Sequence, residues 1–411
     1  MERKQGGRDL GSIEPGCTVA KVVYFGLDSQ NFNTIARISA LQDAGLEVLG
    51  MTFRRRSFNQ GFAPTWENVA LGETRIGSYL SRAWVMVKAL GPIWANREKM
   101  SGASLFFARN LDMAALALAS RFLSGSQAPF VYEVRDIRSA VLGNGLRARA
   151  FRWLERRVLA RTKMLEVSSP GFIENYFVPL QGYRGQWFLS ENKLHGPQLR
   201  KVAGKPSGDA KAKVDAIRRG RRVIGVFGAF RCVRSLEMLG DLSDRLPVLV
   251  YLRGYPTGLG IEAFRNLLGR HPNMVYDGEF SSPRDLGEIY GAVDMAWGFD
   301  FSSAGANSAW LLPNRLYDSG YYGVPLLVAS GTQTARKVGE LDMGWTFDEP
   351  VAEGLERFLR EVTPEEIALK KGHVASLPRD LFCEEDDTGQ MLRAVLGPSF
   401  REGWSGEMSK M

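Results

Sequence analysis

The sequence predicts an α/β protein made of two doubly wound domains, and three observations support this. The chain opens with a strand at 19–25, apolar residues at helical spacing over 35–46 with Gly45 where the helix stops, and a strand at 47–52, an order that builds a parallel sheet. The same alternation restarts at residue 222. Between the two halves, 195–208 is rich in glycine and proline, which is typical of a linker. A chain of 411 residues is long enough for two full cores.

The first half continues the alternation beyond residue 52. Its predicted strands are short apolar runs, and its predicted helices carry apolar residues at helical spacing. The helices are predicted at 75–96, 111–123 and 145–162, and the strands at 104–108, 130–134 and 163–167. Ser169 and Pro170 suit the N-cap and first position of a further helix.

The second half has the same order of elements. Strands are predicted at 222–227, 248–252, 274–277, 295–299 and 325–329, with helices at 235–246, 261–270, 283–291 and 314–322. Parallel sheets of this kind bind ligands beyond the carboxyl ends of their strands. With two such sheets, the predicted binding site is the cleft between the domains.

These patterns divide the chain into five segments. We expect a flexible leader, an N-terminal domain that binds the acceptor, a linker, a C-terminal domain that binds a nucleotide-sugar, and a C-terminal helix and tail that pack back on the N-terminal domain. Their predicted limits are 1–17, 18–194, 195–208, 209–380 and 381–411.

Composition narrows the function further. The net charge of +8 favours an anionic partner, although no nucleic-acid-binding module is recognisable. Cys17, Cys232 and Cys383 are far apart and the three histidines are isolated, so neither disulfides nor a metal site is expected. No run approaches the roughly 18 apolar residues of a membrane span, and the polar N-terminus lacks the apolar core of a signal peptide. These features predict a cytoplasmic protein.

The stretch 310–328 carries the strongest chemical signal. Pro313 can open a helix whose free N–H groups form an anion site. Arg315 lies in the first turn and adds positive charge. Asp318 lies one turn further on, where a carboxylate can accept hydrogen bonds from ribose hydroxyls. The alternative for Asp318 is an exposed helical carboxylate paired with a neighbour.

A second signal lies at 223–234. A strand ends at Gly228, which lets the backbone approach a ligand, and Arg231 and Arg234 follow before the next helix. The two arginines are predicted to clamp a diphosphate. A solvated loop is the alternative for both.

These motifs resemble the GT-B glycosyltransferases of the large group 1 superfamily, a fold of two Rossmann-like domains that face each other across a cleft. The resemblance rests on the Gly-x-x-Arg segment at 228–231 and on Asn314, Arg315 and Asp318 in the helix before Gly-Val-Pro. More narrowly, 132–136, 168–170, 191–193 and 310–314 look like the succinoglycan biosynthesis glycosyltransferases of the ExoL type.

The resemblance implies transfer of a hexose, with glucose from UDP-glucose expected, to an oligosaccharide carried on a polyprenyl diphosphate. It also implies that no metal or other cofactor is needed, in agreement with the absence of an Asp-x-Asp motif. Many members of the superfamily carry two glutamates eight positions apart, whereas here Trp310 stands at the first position and Asp318 at the second. The contact with the donor sugar therefore differs, and a retaining mechanism is not carried over.

An inverting enzyme needs a general base in the first domain. Asp136 lies just beyond a predicted strand and is the first candidate, with Glu133 and Asp28 as rivals. A helix N-cap, or a salt bridge with a neighbouring arginine, is the structural alternative for Asp136.

The basic, aromatic helices at 145–163 and 75–99 suit an anionic membrane surface, so peripheral association with the inner membrane is a further expectation. A core-packed helix with a solvated charged face is the alternative. Two other functions stay open on the same architecture, a nucleotide-sugar epimerase and a non-catalytic subunit of a polysaccharide assembly complex. A nicotinamide-dependent dehydrogenase is disfavoured because Gly-x-Gly-x-x-Gly is missing.

Overall fold

A computed structural model describes residues 20–55, 62–74, 79–202, 209–302, 305–397 and 400. The chain forms two compact units, one of Met1–Tyr132 with Thr388–Met411 and one of Glu133–Asp387. The predicted leader at 1–17 lies outside the described residues, as do 203–208 of the predicted linker and residues 398, 399 and 401–411 of the last segment. The five predicted segment limits stay a prediction.

The first unit alternates strands and helices from its start. Its elements are β1 (Lys21–Gly26), α1 (Phe32–Asp43), β2 (Glu47–Arg54), β3 (Glu67–Glu73), α2 (Tyr79–Ala95), α3 (Arg97–Ser101), β4 (Leu105–Arg109) and α4 (Leu111–Leu123). Strand β5 (Phe130–Val134) carries the chain into the second unit, and most of α18 (Asp387–Leu396) belongs to the first. In that helix, Thr388 accepts a hydrogen bond from Arg37 of α1 at 3.3 Å.

The sheet of the first unit is parallel, as predicted. Strand β1 pairs with β2 from Lys21 opposite Glu47 to Gly26 opposite Thr52, and on its other side it pairs with β4. Because β1 is central, its residues 22–25 are completely buried. The sequence did not predict β3, an edge strand that pairs with β2 and is largely exposed.

The second unit begins with the elements that follow β5. They are α5 (Ser139–Leu142), α6 (Leu146–Leu159), β6 (Met164–Val167), α7 (Pro170–Phe172), β7 (Trp187–Leu189), β8 (Leu194–His195) and α8 (Gly196–Val202). Strand β6 pairs in parallel with β7. Helix α8 occupies the first part of the predicted linker, because Pro197 in a first turn is compatible with a helix.

The larger sheet of this unit has six parallel strands with helices between them. The strands are β9 (Arg222–Phe230), β10 (Val248–Pro256), β11 (Met274–Tyr276), β12 (Met295–Trp297), β13 (Leu326–Ala329) and β14 (Gly344–Phe347). The helices are α9 (Ala210–Arg218), α10 (Val233–Arg245), α11 (Ile261–Arg270), α12 (Leu286–Gly291), α13 (Asn307–Trp310), α14 (Asn314–Tyr321), α15 (Gln333–Glu340), α16 (Val351–Glu361) and α17 (Pro364–Ser376). A last short strand, β15 (Cys383–Glu384), pairs with β8.

The strand order of this sheet is β11-β10-β9-β12-β13-β14. Two separate apolar clusters pack against it, one including Leu316 of α14 and the other including Leu236 of α10 and Leu355 of α16. A parallel sheet with helices on both faces is the doubly wound architecture that the sequence predicts. None of the described helices is both long and apolar enough to cross a membrane.

Candidate functional site

Helix α14 begins where the sequence predicts, directly after Pro313. It buries Leu316 and Tyr317 in the core, so its other face is left for polar side chains. Arg315 and Asp318 are three residues apart and therefore share that face. No ion pair joins them among the described side chains, so both side chains remain available to a ligand.

Arg315 lies over the carboxyl end of β12. Its guanidinium donates to the carbonyl oxygens of Trp297 and Phe299, at 3.4 Å and 3.3 Å. Burial lowers its pKa and the nearby charge of Arg231 lowers it further, while Asp300 opposes the change. An arginine remains protonated under such a shift, so a half-buried cation stands at the strand end.

The backbone around Arg231 is held by the neighbouring strand end. The carbonyl oxygen of Phe230 accepts hydrogen bonds from the N–H groups of Thr257 and Gly258, at 3.2 Å and 3.1 Å. A Cβ on Gly258 would overlap the carbonyl oxygen of Arg231, so this approach requires glycine. The Arg231 side chain is exposed, and no described carboxylate pairs with it. Among the described residues no salt bridge neutralises Arg231 or Arg315, and their combined positive field suits an anion site.

Gly228 lies within β9 and does not end it, because the strand continues to Phe230. Its φ of +100° is a conformation that glycine adopts easily. It pairs with Gly254, where a Cβ would overlap the Gly228 carbonyl oxygen, so the two strands can approach this closely only with glycine at position 254. No described atom lies within 4 Å of where a Cβ on Gly228 would stand, which leaves open space beside the backbone.

Arg234 differs from the prediction in position. It lies in the first turn of α10 and not in the loop before it. Its guanidinium pairs with both carboxylate oxygens of Glu349, at 2.8 Å and 2.9 Å, and stacks on Phe301 at 4.2 Å. Because Glu349 already neutralises it, Arg234 contributes less free positive charge than Arg231. Asn314 is exposed at the first position of α14.

Asp318 has the most perturbed carboxyl group at this site. Burial raises its pKa to about 8, and Arg315 only partly opposes this effect. The rings of Tyr290 and Tyr322 stack at 5.9 Å, and burial raises the pKa of both hydroxyls, with the nearby Asp318 raising it further. Within the described residues, no hydrogen bond engages its carboxylate. A carboxyl group held in an apolar setting without a partner is typical of a functional site.

The three candidate bases differ in exposure. Glu133 is fully buried and accepts from Arg135 at 2.7 Å. Asp28, in the first unit, is buried and accepts from the backbone N–H of Gln30 at 3.1 Å. Asp136 is exposed two residues beyond β5 and accepts from the side chain of Asn307 at 3.2 Å. Of the three, only Asp136 offers a carboxylate to solvent and so to a substrate.

Sequence reasoning missed Asn307. Its side chain accepts a hydrogen bond from Ile137, 170 residues earlier, and no local sequence pattern predicts a contact between residues so far apart. Glu349, which neutralises Arg234, was missed for the same reason. No group of three or more histidine, cysteine, aspartate or glutamate side chains in the described part of the chain is arranged to hold a metal ion.

Comparison with known proteins identifies relatives of this chain. No protein-family model matches it. The chain is 32% identical over 352 residues to the succinoglycan biosynthesis protein ExoL of Rhizobium meliloti (strain 1021), a match that spans 84% of this chain and 85% of that protein.

Solved structures of similar fold are GT-B proteins. Sucrose-phosphate synthase of Thermosynechococcus elongatus has a TM-score of 0.69 at 14% identity, over 90% of this chain and 97% of that chain. HepE of Anabaena, solved with UDP and glucose, has a TM-score of 0.65 at 14% identity, over 92% and 99%. The lipopolysaccharide glycosyltransferase WaaG has a TM-score of 0.62 at 17% identity, over 91% and 99%. These likenesses show the fold and confirm the prediction of two Rossmann-like domains.

Proposed function

We propose that this chain, which belongs to the family of the succinoglycan biosynthesis protein ExoL and has the GT-B fold, is a glycosyltransferase of exopolysaccharide biosynthesis. The proposed reaction moves a hexose, with glucose expected, from a UDP-sugar to a lipid-linked oligosaccharide. The nucleotide assignment is supported by HepE, a protein of similar fold that was solved with UDP and glucose.

One observation carries the proposal. Arg231 and Arg315 stand close together at the carboxyl ends of β9 and β12 without an ion-pair partner among the described residues, and the carboxyl group of Asp318 lies one helical turn beyond Arg315. Two cations suit a diphosphate. An unpartnered carboxylate at this distance along α14 suits the hydroxyls of a ribose. The two cations and the carboxylate together fit a ligand that carries both a diphosphate and a ribose, which is a nucleoside diphosphate.

The proposed chemistry assigns one role to each group. The acceptor hydroxyl oxygen attacks the anomeric carbon of the donor sugar while the bond from that carbon to the diphosphate oxygen breaks. Asp136 takes the hydroxyl proton. Arg231, Arg315 and the N-terminus of α14 stabilise the charge that develops on the leaving UDP. Because these groups supply positive charge, we propose that the reaction needs no metal ion.

Calorimetric titration with UDP, GDP, ADP and NAD tests the donor site. UDP is expected to bind most tightly, and Arg231→Ala is expected to weaken it by about 10- to 100-fold through loss of a charge-assisted hydrogen bond. Arg234→Ala is the matched control, since Glu349 already pairs with that side chain, and its effect should be several-fold smaller. Equal binding of all four ligands would contradict the proposal.

Transfer assays complete this test. Radiolabelled UDP-glucose and bacterial lipid extracts should give a labelled lipid-linked product, and the rate should persist in EDTA if no metal takes part. Tight UDP binding without transfer to any acceptor would favour the non-catalytic subunit. Free epimerised sugar nucleotide as the product would favour the epimerase.

A lipid-linked acceptor lies in a membrane, and the exposed face of α6 is suited to binding a membrane surface. Exposed basic and apolar side chains fall on one helical face, namely Leu146, Arg149, Ala150, Trp153, Arg156 and Arg157. Leu146 and Trp153 are 83% and 56% exposed, and Arg157 lies 5.0 Å from the Trp153 ring. The single acidic residue of the helix, Glu155, is buried against Tyr176. Such a face attracts anionic headgroups and inserts apolar side chains.

Flotation with liposomes tests this surface. We expect the protein to float with phosphatidylglycerol vesicles and not with phosphatidylcholine vesicles, and the triple variant Arg149→Ser, Trp153→Ala, Arg157→Ser to lose about tenfold in affinity. The control replaces Arg265 and Arg270, two exposed arginines of α11, by serine. If the control loses as much vesicle binding as the triple variant, the protein binds vesicles through its net charge alone and not through the face of α6. The localisation that follows is the cytoplasmic face of the inner membrane.

A further inference from the structure

The side chain of Asn307 makes two bonds to one short segment of the chain. Its Oδ1 accepts a hydrogen bond from the backbone N–H of Ile137 at 2.8 Å. Its Nδ2 donates to Oδ1 of Asp136 at 3.2 Å. Only a side chain that carries both an acceptor and a donor makes this pair of contacts. Asn307 therefore holds the backbone after β5 and the carboxylate of Asp136 at the same time.

The backbone that carries Asn307 is fixed independently of this side chain. Helix α13 ends at Trp310, whose carbonyl oxygen accepts from the Ser169 hydroxyl. The carbonyl oxygens of Leu311 and Leu312 accept from Thr334 and Asn192, at 3.2 Å and 2.7 Å. Three side chains from separate parts of the chain thus hold residues 310–312, at the end of the helix that carries Asn307. Removal of the Asn307 amide is expected to leave the fold intact.

Asp136, in contrast, is exposed and follows the end of β5. An exposed carboxylate samples several rotamers, and a general base must be aimed at one hydroxyl. The hydrogen bond from Asn307 limits the rotamers that the Asp136 side chain adopts. The second hydrogen bond, from the Ile137 N–H to Asn307, fixes the position of the Asn307 amide relative to the backbone after β5.

From this geometry we infer that Asn307 is a positioning residue, which aims the Asp136 carboxylate at the acceptor hydroxyl. The inference rests on the proposed function, because it requires Asp136 to act as the base. Asn307 itself takes no proton. Its effect belongs to the chemical step and not to donor binding.

A double-mutant cycle with Asp136 tests the inference. In the wild-type background, Asn307→Ala is expected to lower kcat by about 10- to 100-fold, with little change in KM for the donor or in UDP affinity by calorimetry. In an Asp136→Asn background, the same replacement is expected to change kcat less than twofold, because the group that Asn307 aims is already gone. Asn266→Ala, at an exposed asparagine of α11, is the control and should leave all constants unchanged.

Asn307→Asp sharpens the test. It retains an acceptor for the Ile137 N–H but places a second negative charge beside Asp136, so we expect it to be slower than Asn307→Ala. Additive losses in the cycle would overturn the inference while leaving the transferase intact. A drop in UDP affinity would also overturn it, since Asn307 would then belong to the donor pocket. A wild-type chain without transferase activity would refute the proposed function itself.

Discussion

Asp136→Asn is expected to lower kcat by about 10²- to 10⁴-fold, the range that general base catalysis contributes. Asparagine preserves the size of the side chain but cannot accept the proton of the acceptor hydroxyl. The expected loss is in kcat, with UDP affinity unchanged, because the proposed role of Asp136 is to take a proton and not to hold the nucleotide. Steady-state kinetics with a lipid-linked acceptor, together with UDP calorimetry, measure both quantities.

Two controls accompany this variant. Asp241→Asn changes an exposed carboxylate of α10 and should retain full activity. Asp28→Asn tests the buried rival. The Asp28 carboxylate accepts a hydrogen bond from the backbone N–H of Gln30, so this variant is expected to affect stability more than kcat. If Asp136→Asn turns over at the wild-type rate, Asp136 is not the base. A mechanism without a base in this position would then be required.

The start of α14 shows what the sequence can predict. Pro313 cannot continue a preceding helix but suits the start of a new one, so the position of Arg315 and Asp318 followed from local chemistry. The parallel sheets were predictable for a similar reason, because short apolar runs alternate with amphipathic helices along the chain. The chemistry of these elements is encoded within a few residues.

Strand β3 shows why other parts were missed. Its sequence, Glu67–Glu73, contains two glutamates and a glycine, and only Leu71 is buried. An edge strand needs no continuous apolar run, so its pattern is weak. At Gly228 the prediction was wrong for a different reason, because the strand was predicted to end there. Glycine usually weakens a strand, yet β9 continues through it because Gly254 on β10 allows a close approach.

The partners of the site residues were beyond any local pattern. Glu349 lies 115 residues from Arg234, and Asn307 lies 171 residues from Asp136. Nothing near Arg234 in the sequence distinguishes it from Arg231, although the structure neutralises one and leaves the other without an ion pair among the described residues. Residue type and position along a strand or helix predict a candidate, whereas the pairing of its charge with an opposite charge depends on the tertiary structure.

Replacement of Asp318 is also expected to have a large effect on UDP affinity, and this effect depends on pH. Because the pKa of its carboxyl group is about 8, about a tenth of the free protein carries the ionised form at pH 7 and about nine-tenths at pH 9. If the ionised form accepts the ribose hydroxyls, UDP affinity should rise roughly tenfold between these two pH values. Asp318→Asn should bind UDP about 10- to 100-fold more weakly at pH 9 and show no such rise. Calorimetry of both proteins at pH 7, 8 and 9 measures this.

The same carboxyl group should destabilise the fold. Its pKa is raised above the value in an unfolded chain, so the folded protein binds more protons between about pH 4 and pH 8, and the free energy of unfolding falls as pH rises through that window. An asparagine side chain at this position would carry no charge to bury, so Asp318→Asn is expected to unfold a few degrees higher at pH 8 while it loses UDP binding. A gain in stability with a loss of ligand is the signature of a residue kept for function. A variant that unfolds at lower temperature and binds UDP normally would show that Asp318 serves the fold alone.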